Sequence, residues 1–183
     1  MQFLKKILKK IFFLVFSILN LFNFYFKIRF LGNLFNLIKV FFLKLSGAKI
    51  GNNSFIHSNV FILNPENLEV GENSIIGANS EIFNYSKFKI GNYVDIGTQL
   101  YINTNNHNVS DPNLYLNNKT NSISKEIKIS DDVWIGARVT ILSGVIIDKR
   151  VVVGAGSVVT KNLGSEFTYA GVPAKKINQL TKS

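Results

Sequence analysis

Residues Ile129–Thr160 read ISDDVWIGARVTILSGVIIDKRVVVGAGSVVT, and within them an aliphatic residue returns every six positions: Ile129, Ile135, Ile141, Ile147, Val153 and Val159. A second series runs two residues ahead, through Ile127, Val133, Val139, Val145 and Val151. A helix repeats every 3.6 residues or thereabouts and a strand about every 2, so a period of six fits neither; it fits a short strand that turns a corner after each face. Three such faces close one coil of a solenoid. The branched residues then point inward as a continuous column, and Gly136, Gly144, Gly154 and Gly156 are expected at the corners.

The same rhythm starts upstream as Ile50, Ile56 and Ile62, then Val70, Ile76 and Ile82, then Ile90, Ile96 and Ile102. Spacing is six within each triplet and eight between triplets, which predicts small corner bulges near Asn64-Pro65 and Asn84–Ser86. Gly51, Gly71, Gly77, Gly91 and Gly97 directly follow aliphatic positions, where left-handed backbone or a tight corner is expected. After Ile102 the pattern stops until Ile127. The intervening polar, Asn-rich stretch reads as a loop, residues 103–126, extruded from one corner. About five coils and a tail over 161–183 complete the reading of residues 50–183 as one solenoid domain.

Charge divides the chain differently. Residues 1–49 carry nine Lys/Arg and no acid, whereas 50–183 hold twelve basic against eleven acidic side chains, so the net +10 belongs to the N-terminus. That segment also holds eleven of the sixteen phenylalanines. Its uncharged run, residues 11–26, contains Ser17, Asn20 and Asn23 and falls short of the roughly 20 apolar residues of a spanning helix. It begins like a secretory leader, but no small-residue cleavage site follows, and retention is expected. Further on, Leu31, Leu34, Phe35, Ile38, Phe41, Phe42 and Leu45 share one helical face, with Asn33, Asn36, Lys39 and Lys44 elsewhere. Two readings stand together: helices lying in an anionic membrane interface through residues 1–45, or an apolar face that packs on the solenoid or a neighbouring subunit and caps the first coil. No nucleic-acid partner is expected. The absence of cysteine excludes disulfides and thiolate chemistry.

A column packed with aliphatic side chains has no interior cleft, so a site must stand on outer faces, loops or seams between subunits. His107, in the extruded loop, is the candidate general base, because an imidazole titrates near neutrality and can take a proton from a hydroxyl group. Asp111 and Asp95 are candidates to hold its ring. His57, the second histidine, reads as a solvated residue of an early coil.

The stretches NTNNHNVSDP, DDVWIGARVTILSGVII and VVVGAGSVVTKN followed by YAGVPAKKI, in that order, resemble the hexapeptide-repeat acyltransferases, left-handed parallel β-helix proteins. Within that family they are most similar to the sugar O-acetyltransferases of the maltose, galactoside and nodulation-factor type. The resemblance covers about residues 50–178. It implies a homotrimer with sites between protomers, acetyl-CoA as co-substrate and no metal. It also implies an acetyl group moved directly to a sugar hydroxyl, with His107 as catalytic base. On the coenzyme side it implies Trp134, Ala137 and Ala155 beside the pantetheine arm, and Thr160, Lys161 and Lys175 near the phosphates. A further basic position of the family is Asn178 here, with Lys176 or Lys182 as substitutes.

On the acceptor side one family position is Gly77, with Asn79, Asn84, Tyr85 and Asp111 as candidates nearby. No acidic residue precedes Glu66, so the family's N-terminal acidic sugar contact has no counterpart. A surface glycan or its lipid-linked precursor is therefore expected as acceptor, met by a peripheral protein on the inner face of the cytoplasmic membrane. The alternative is a non-catalytic β-helix scaffold or membrane-binding protein. Carbonic anhydrases of similar fold need three histidines, and this chain has two. Nucleotidyltransferase fusions need a further domain.

Overall fold

The two aliphatic series line the inside of a five-coil parallel solenoid, and every residue of both is buried. The computed structural model describes residues 2–21, 29–107 and 122–180, with side chains over 6–17, 32–107 and 122–180. Two helices come first, α1 (Gln2–Leu21) and α2 (Arg29–Leu45). Coil one is β1 (Lys49–Ile50), β2 (Phe55–Ile56) and β3 (Phe61–Ile62); coil two is β4 (Leu68–Val70), β5 (Ile75–Ile76) and β6 (Glu81–Phe83); coil three is β7 (Phe88–Ile90), β8 (Asp95–Ile96) and β9 (Tyr101–Asn103). An antiparallel ribbon of β10 (Asn105–His107) and β11 (Ser122–Ser124) then leaves the stack. Coil four is β12 (Ile127–Ile129), β13 (Trp134–Ile135) and β14 (Thr140–Ile141), and coil five is β15 (Ile146–Ile147), β16 (Val152–Val153) and β17 (Val158–Val159). The tail adds β18 (Phe167–Ala170) and β19 (Lys175–Gln179).

Strands stack into three sheets, the faces of a triangular prism, parallel and in register except that β19 pairs antiparallel with β18. Sheet A runs β1-β4-β7-β12-β15, sheet B runs β2-β5-β8-β13-β16-β18-β19, and sheet C runs β3-β6-β9-β14-β17. The bulges expected near Asn64 and Asn84 both fall at the C–A corner, the first as a 3-10 turn over Pro65–Asn67. The ribbon leaves from the same corner.

The corner glycines divide between two jobs. At the A–B and B–C corners the left-handed residue comes three positions after the aliphatic one, at Asn53, Asn59, Asn73, Asn79, Tyr93, Gln99, Asp132, Arg138, Arg150 and Gly156; at the C–A corner it recurs at Gly144. Gly51, Gly71, Gly77, Gly91, Gly97, Gly136 and Gly154 have ordinary backbone and instead let successive coils touch. A Cβ on Gly77 would lie 2.2 Å from the Gly97 carbonyl oxygen, and one on Gly136 would lie 2.6 Å from the Ala155 nitrogen.

Helix α2 covers the open end of coil one, but with its polar side. Asn36 Nδ2 donates to Ser54 O at 3.2 Å, Asn36 Oδ1 accepts from Ile56 N at 2.9 Å, and Lys39 Nζ donates to Ile56 O at 2.6 Å. The lone strand edge of β2, otherwise a row of unmet backbone groups, is thereby satisfied. This corrects the expectation of an apolar face capping the coil. Asn36 and Lys39 are buried with Leu43 beneath α2, while Leu34, Phe41 and Leu45 face outward; the side chain of Leu31 lies outside the described set. Helix α1 packs on α2 through Phe16, Phe13 and the Phe12–Phe42 ring contact, centroids 6.0 Å apart.

Two predictions come from this packing. Gly77→Ala costs about 1–3 kcal/mol, because the methyl group forces two coils apart. Gly32→Ala on α2, where a Cβ meets nothing within 4 Å, leaves stability equal or higher in the same urea denaturation series. Burial lowers the Lys39 pKa to about 8. Below pH 8 the native state holds a buried charge that weakens it; between pH 8 and 10.5 the native chain has lost this proton while the unfolded chain keeps it. Stability carried by Lys39 therefore rises with pH across that window, and wild type gains on Lys39→Met there. A flat difference between the two proteins contradicts the buried charge.

Candidate active site

The B–C corner is built from residues with little or no side chain. Gly77-Ala78, Gly97-Thr98, Gly136-Ala137 and Gly154-Ala155 stack there, with the Gly156 N–H donating to Ala137 O at 2.8 Å. The coil-contact rule that demands glycine thus also leaves an open rail along the prism, with Ala137 and Ala155 on it. Trp134 stands beside that rail on the outside of sheet B, 56% exposed, between Asp95 below and Val152 above. The tail crosses the last coil: Val158 N–H donates to Gly171 O at 3.0 Å and accepts at its carbonyl from Ala174 N–H at 2.8 Å. Lys175 follows Ala174 here, while Thr160 and Lys161 follow β17 toward the C–A corner; all three are exposed. Lys176 sits 3.4 Å over the Phe167 ring and Asn178 is in register with Thr168, while Lys182 lies outside the described residues.

His107 ends β10, exposed and in register with Ser122. What sequence reading missed is how firmly the ribbon is rooted. Thr104 is fully buried; its Oγ1 accepts from Ser86 N at 2.9 Å, and its carbonyl accepts from Lys125 N at 2.8 Å and from Ser143 Oγ at 2.6 Å. Coil four therefore grips the arm three residues before the imidazole. The signal was present as a buried Thr between polar neighbours, but nothing in the six-residue period marks it.

Other candidates fare differently. Asp95 is on sheet B, away from the arm at the C–A corner, so it does not hold the His107 ring within one protomer. Asp111 lies outside the described residues. Asn84 is corrected as an acceptor candidate: it is fully buried, its Nδ2 donating to Asn64 O at 2.7 Å and its Oδ1 accepting from Asn64 N at 2.9 Å, which makes it a rung of the corner. Asn79 is exposed, accepting from Asn59 Nδ2 at 2.8 Å, and Tyr85 is exposed at the C–A corner. His57 is exposed and packs on Phe55, centroids 4.8 Å apart. Partial burial lowers its pKa, the Lys39 charge adds to this, and Asp95 opposes it.

The two groups of candidate residues therefore stand on different corners of one protomer. The histidine arm leaves the C–A corner, and the rail with Trp134, Ala137 and Ala155 follows the B–C corner, with sheet C between them. The outer surface of sheet C carries an aromatic strip around an acid: Phe61 and Tyr101 are exposed and joined through Phe83, centroids 5.2 and 5.7 Å apart, with Glu81 exposed in register between them and Leu142 exposed above. Sheet A outside is a charged ladder instead, with Glu69 at 3.1 Å from Lys49 and 3.7 Å from Lys87, and Lys89 at 2.8 Å from Glu126.

Residues 126–161 match the model described as bacterial transferase hexapeptide (six repeats), and residues 68–103 match that of the hexapeptide repeat of succinyl-transferase. A galactoside O-acetyltransferase of Lactococcus lactis is 38% identical over 90 residues, 48% of this chain and 42% of that one. A protein of Escherichia coli (strain K12), provisionally named lipopolysaccharide biosynthesis O-acetyl transferase WbbJ, is 38% identical over 97 residues, 48% of this chain and 49% of that one. Both matches span less than half of the relative. Among solved structures, a hexapeptide-repeat acetyltransferase of Vibrio cholerae complexed with acetyl coenzyme A superposes with a TM-score of 0.72 at 26% identity, over 79% of this chain and 77% of that one.

Proposed function

We propose that this hexapeptide-repeat protein is an O-acetyltransferase that moves an acetyl group from acetyl-CoA to a sugar hydroxyl of a surface glycan or its lipid-linked precursor. The observation that carries the reading is a histidine-bearing arm rooted at one corner together with a bulk-free rail at the next, where the tail that leads into exposed Lys175 crosses the last coil. The sugar acetyltransferases among its relatives supply the donor and the acceptor class. The pantetheine arm lies along Ala137 and Ala155 beside Trp134, with the coenzyme phosphates toward Thr160, Lys161 and Lys175. His107 takes the proton of the acceptor hydroxyl as its oxygen attacks the thioester carbonyl. A backbone N–H holds the oxyanion of the tetrahedral intermediate. Its collapse breaks the carbon–sulfur bond, and the proton passes from the imidazolium to the departing sulfur, leaving an acetyl ester and free coenzyme A. Asn79 and Tyr85 stand on the acceptor side.

The two half-sites meet in a homotrimer. Packing through the aromatic strip of sheet C brings the C–A corner of one protomer toward the B–C corner of the next, and such a head-to-tail contact closes as a ring of three. An enzyme with a lipid-linked acceptor works as a peripheral protein on the inner face of the cytoplasmic membrane. Among the described residues no helix is long and apolar enough to cross one.

His107→Ala lowers thiol release from acetyl-CoA with a competent glycan acceptor by about 10²–10⁴-fold while the circular dichroism spectrum stays native. Unchanged release sinks the assignment and leaves a scaffold. Trp134 is the single tryptophan, so coenzyme A titration is read from its fluorescence directly. Lys161→Glu with Lys175→Glu weakens that titration and removes most of its salt dependence; an unaltered curve places the phosphates elsewhere.

A further inference from the structure

Helix α2 buries two polar side chains beside Leu43 and leaves much of its apolar surface outside. A helix on a globular surface normally buries its apolar stripe and exposes its polar one. Here Asn36 and Lys39 are committed to the backbone of coil one, and that commitment rotates Leu34, Leu37, Phe41 and Leu45 to the outside, with Leu37 65% and Phe41 58% exposed. These four recur at three- and four-residue steps and so form one stripe. On α1, which packs against α2, Ile7, Leu8, Ile11 and Leu14 are likewise exposed at helical spacing. Contiguous apolar surface of this kind on a folded chain marks an interaction site.

The charges around it select the occupant. Lys6, Lys10 and Lys44 are exposed on the same two helices, and no acidic side chain occurs before Glu66, so every charge that residues 1–49 carry is positive. Apolar side chains of low polarity ringed by lysines with no acid suit a surface that is hydrocarbon within and anionic at its rim. Neither helix is able to span it. We propose that the outward face of the α1–α2 hairpin is a lipid-binding surface that lays the protein on an anionic bilayer, with α2 serving two partners at once: coil one through Asn36 and Lys39, lipid through Leu37 and Phe41. The proposal deepens the acetyl-transfer reading by placing where acceptor and enzyme meet, yet lipid binding itself does not rest on turnover.

The experiment is flotation of the full chain with phosphatidylcholine vesicles and with vesicles of phosphatidylcholine plus phosphatidylglycerol. Wild type floats with the mixed vesicles, less so as salt is raised, and weakly with the neutral ones. Leu37→Asp with Phe41→Asp abolishes flotation while the melting temperature and oligomeric mass stay those of wild type. Lys6→Glu with Lys10→Glu lowers partitioning to the anionic vesicles about fivefold or more. His107→Ala floats like wild type, which separates failure of the lipid surface from failure of the catalytic assignment. Full flotation of the aspartate variant, or its conversion to a smaller oligomer or an unfolded chain, overturns the proposal, the second outcome by showing that protein covers this face.

Discussion

Everything in this molecule depends on how closely one coil of backbone approaches the next. Parallel strands about 4.8 Å apart crowd the residue that follows the inward aliphatic on sheets A and B: at Gly71, Gly77, Gly97 and Gly136 a Cβ would lie within 3 Å of the next coil, whereas His57, Ser130 and Asp148 carry a side chain at the equivalent place. At the C–A corner the equivalent residues are Leu63, Phe83, Asn103, Leu142 and Thr160. That corner is where the path is loose enough for the Pro65–Asn67 turn and for the histidine arm. One packing rule therefore separates a tight corner from a permissive one. On the proposed reading the tight one is the rail for an extended ligand and the permissive one the exit for a reactive side chain.

This division explains why a single prism is half an enzyme on the proposed reading. The column is packed with aliphatic side chains and Phe88, so the proposed site stands outside it, and the two corners are held apart by the width of sheet C. Close packing is then an advantage, because a second copy packed along the aromatic strip of Phe61, Phe83 and Tyr101 meets the first in a fixed register. Thr104, gripped by coil four through Ser143, carries that register out to His107.

Much of the solenoid was legible beforehand because burial imposes a period that few residue types satisfy. The inward positions from Ile50 to Val159, the C–A bulges and the exit of the arm after Ile102 all stand in the sequence pattern and in the coordinates alike. Backbone roles were harder to read. Asn and even Arg138 adopt the left-handed corner, while most glycines are there for contact, and composition alone does not distinguish these uses. Long-range polar pairing was not legible at all: Asn84 folding into Asn64, or Asn36 and Lys39 sealing β2, requires knowing which backbone groups a distant segment leaves unmet. Helical periodicity found the apolar stripe of α2 but not the direction it faces, since an open strand edge claimed the polar side.

The most direct measurement is a crystal structure of the assembled protein with coenzyme A bound. The account predicts the pantetheine arm along the rail of Ala137 and Ala155, its phosphates at Lys161 and Lys175, and its thiol facing the His107 imidazole carried by the neighbouring protomer. Coenzyme bound on another face, or every His107 turned to bulk solvent away from the thiol, contradicts it.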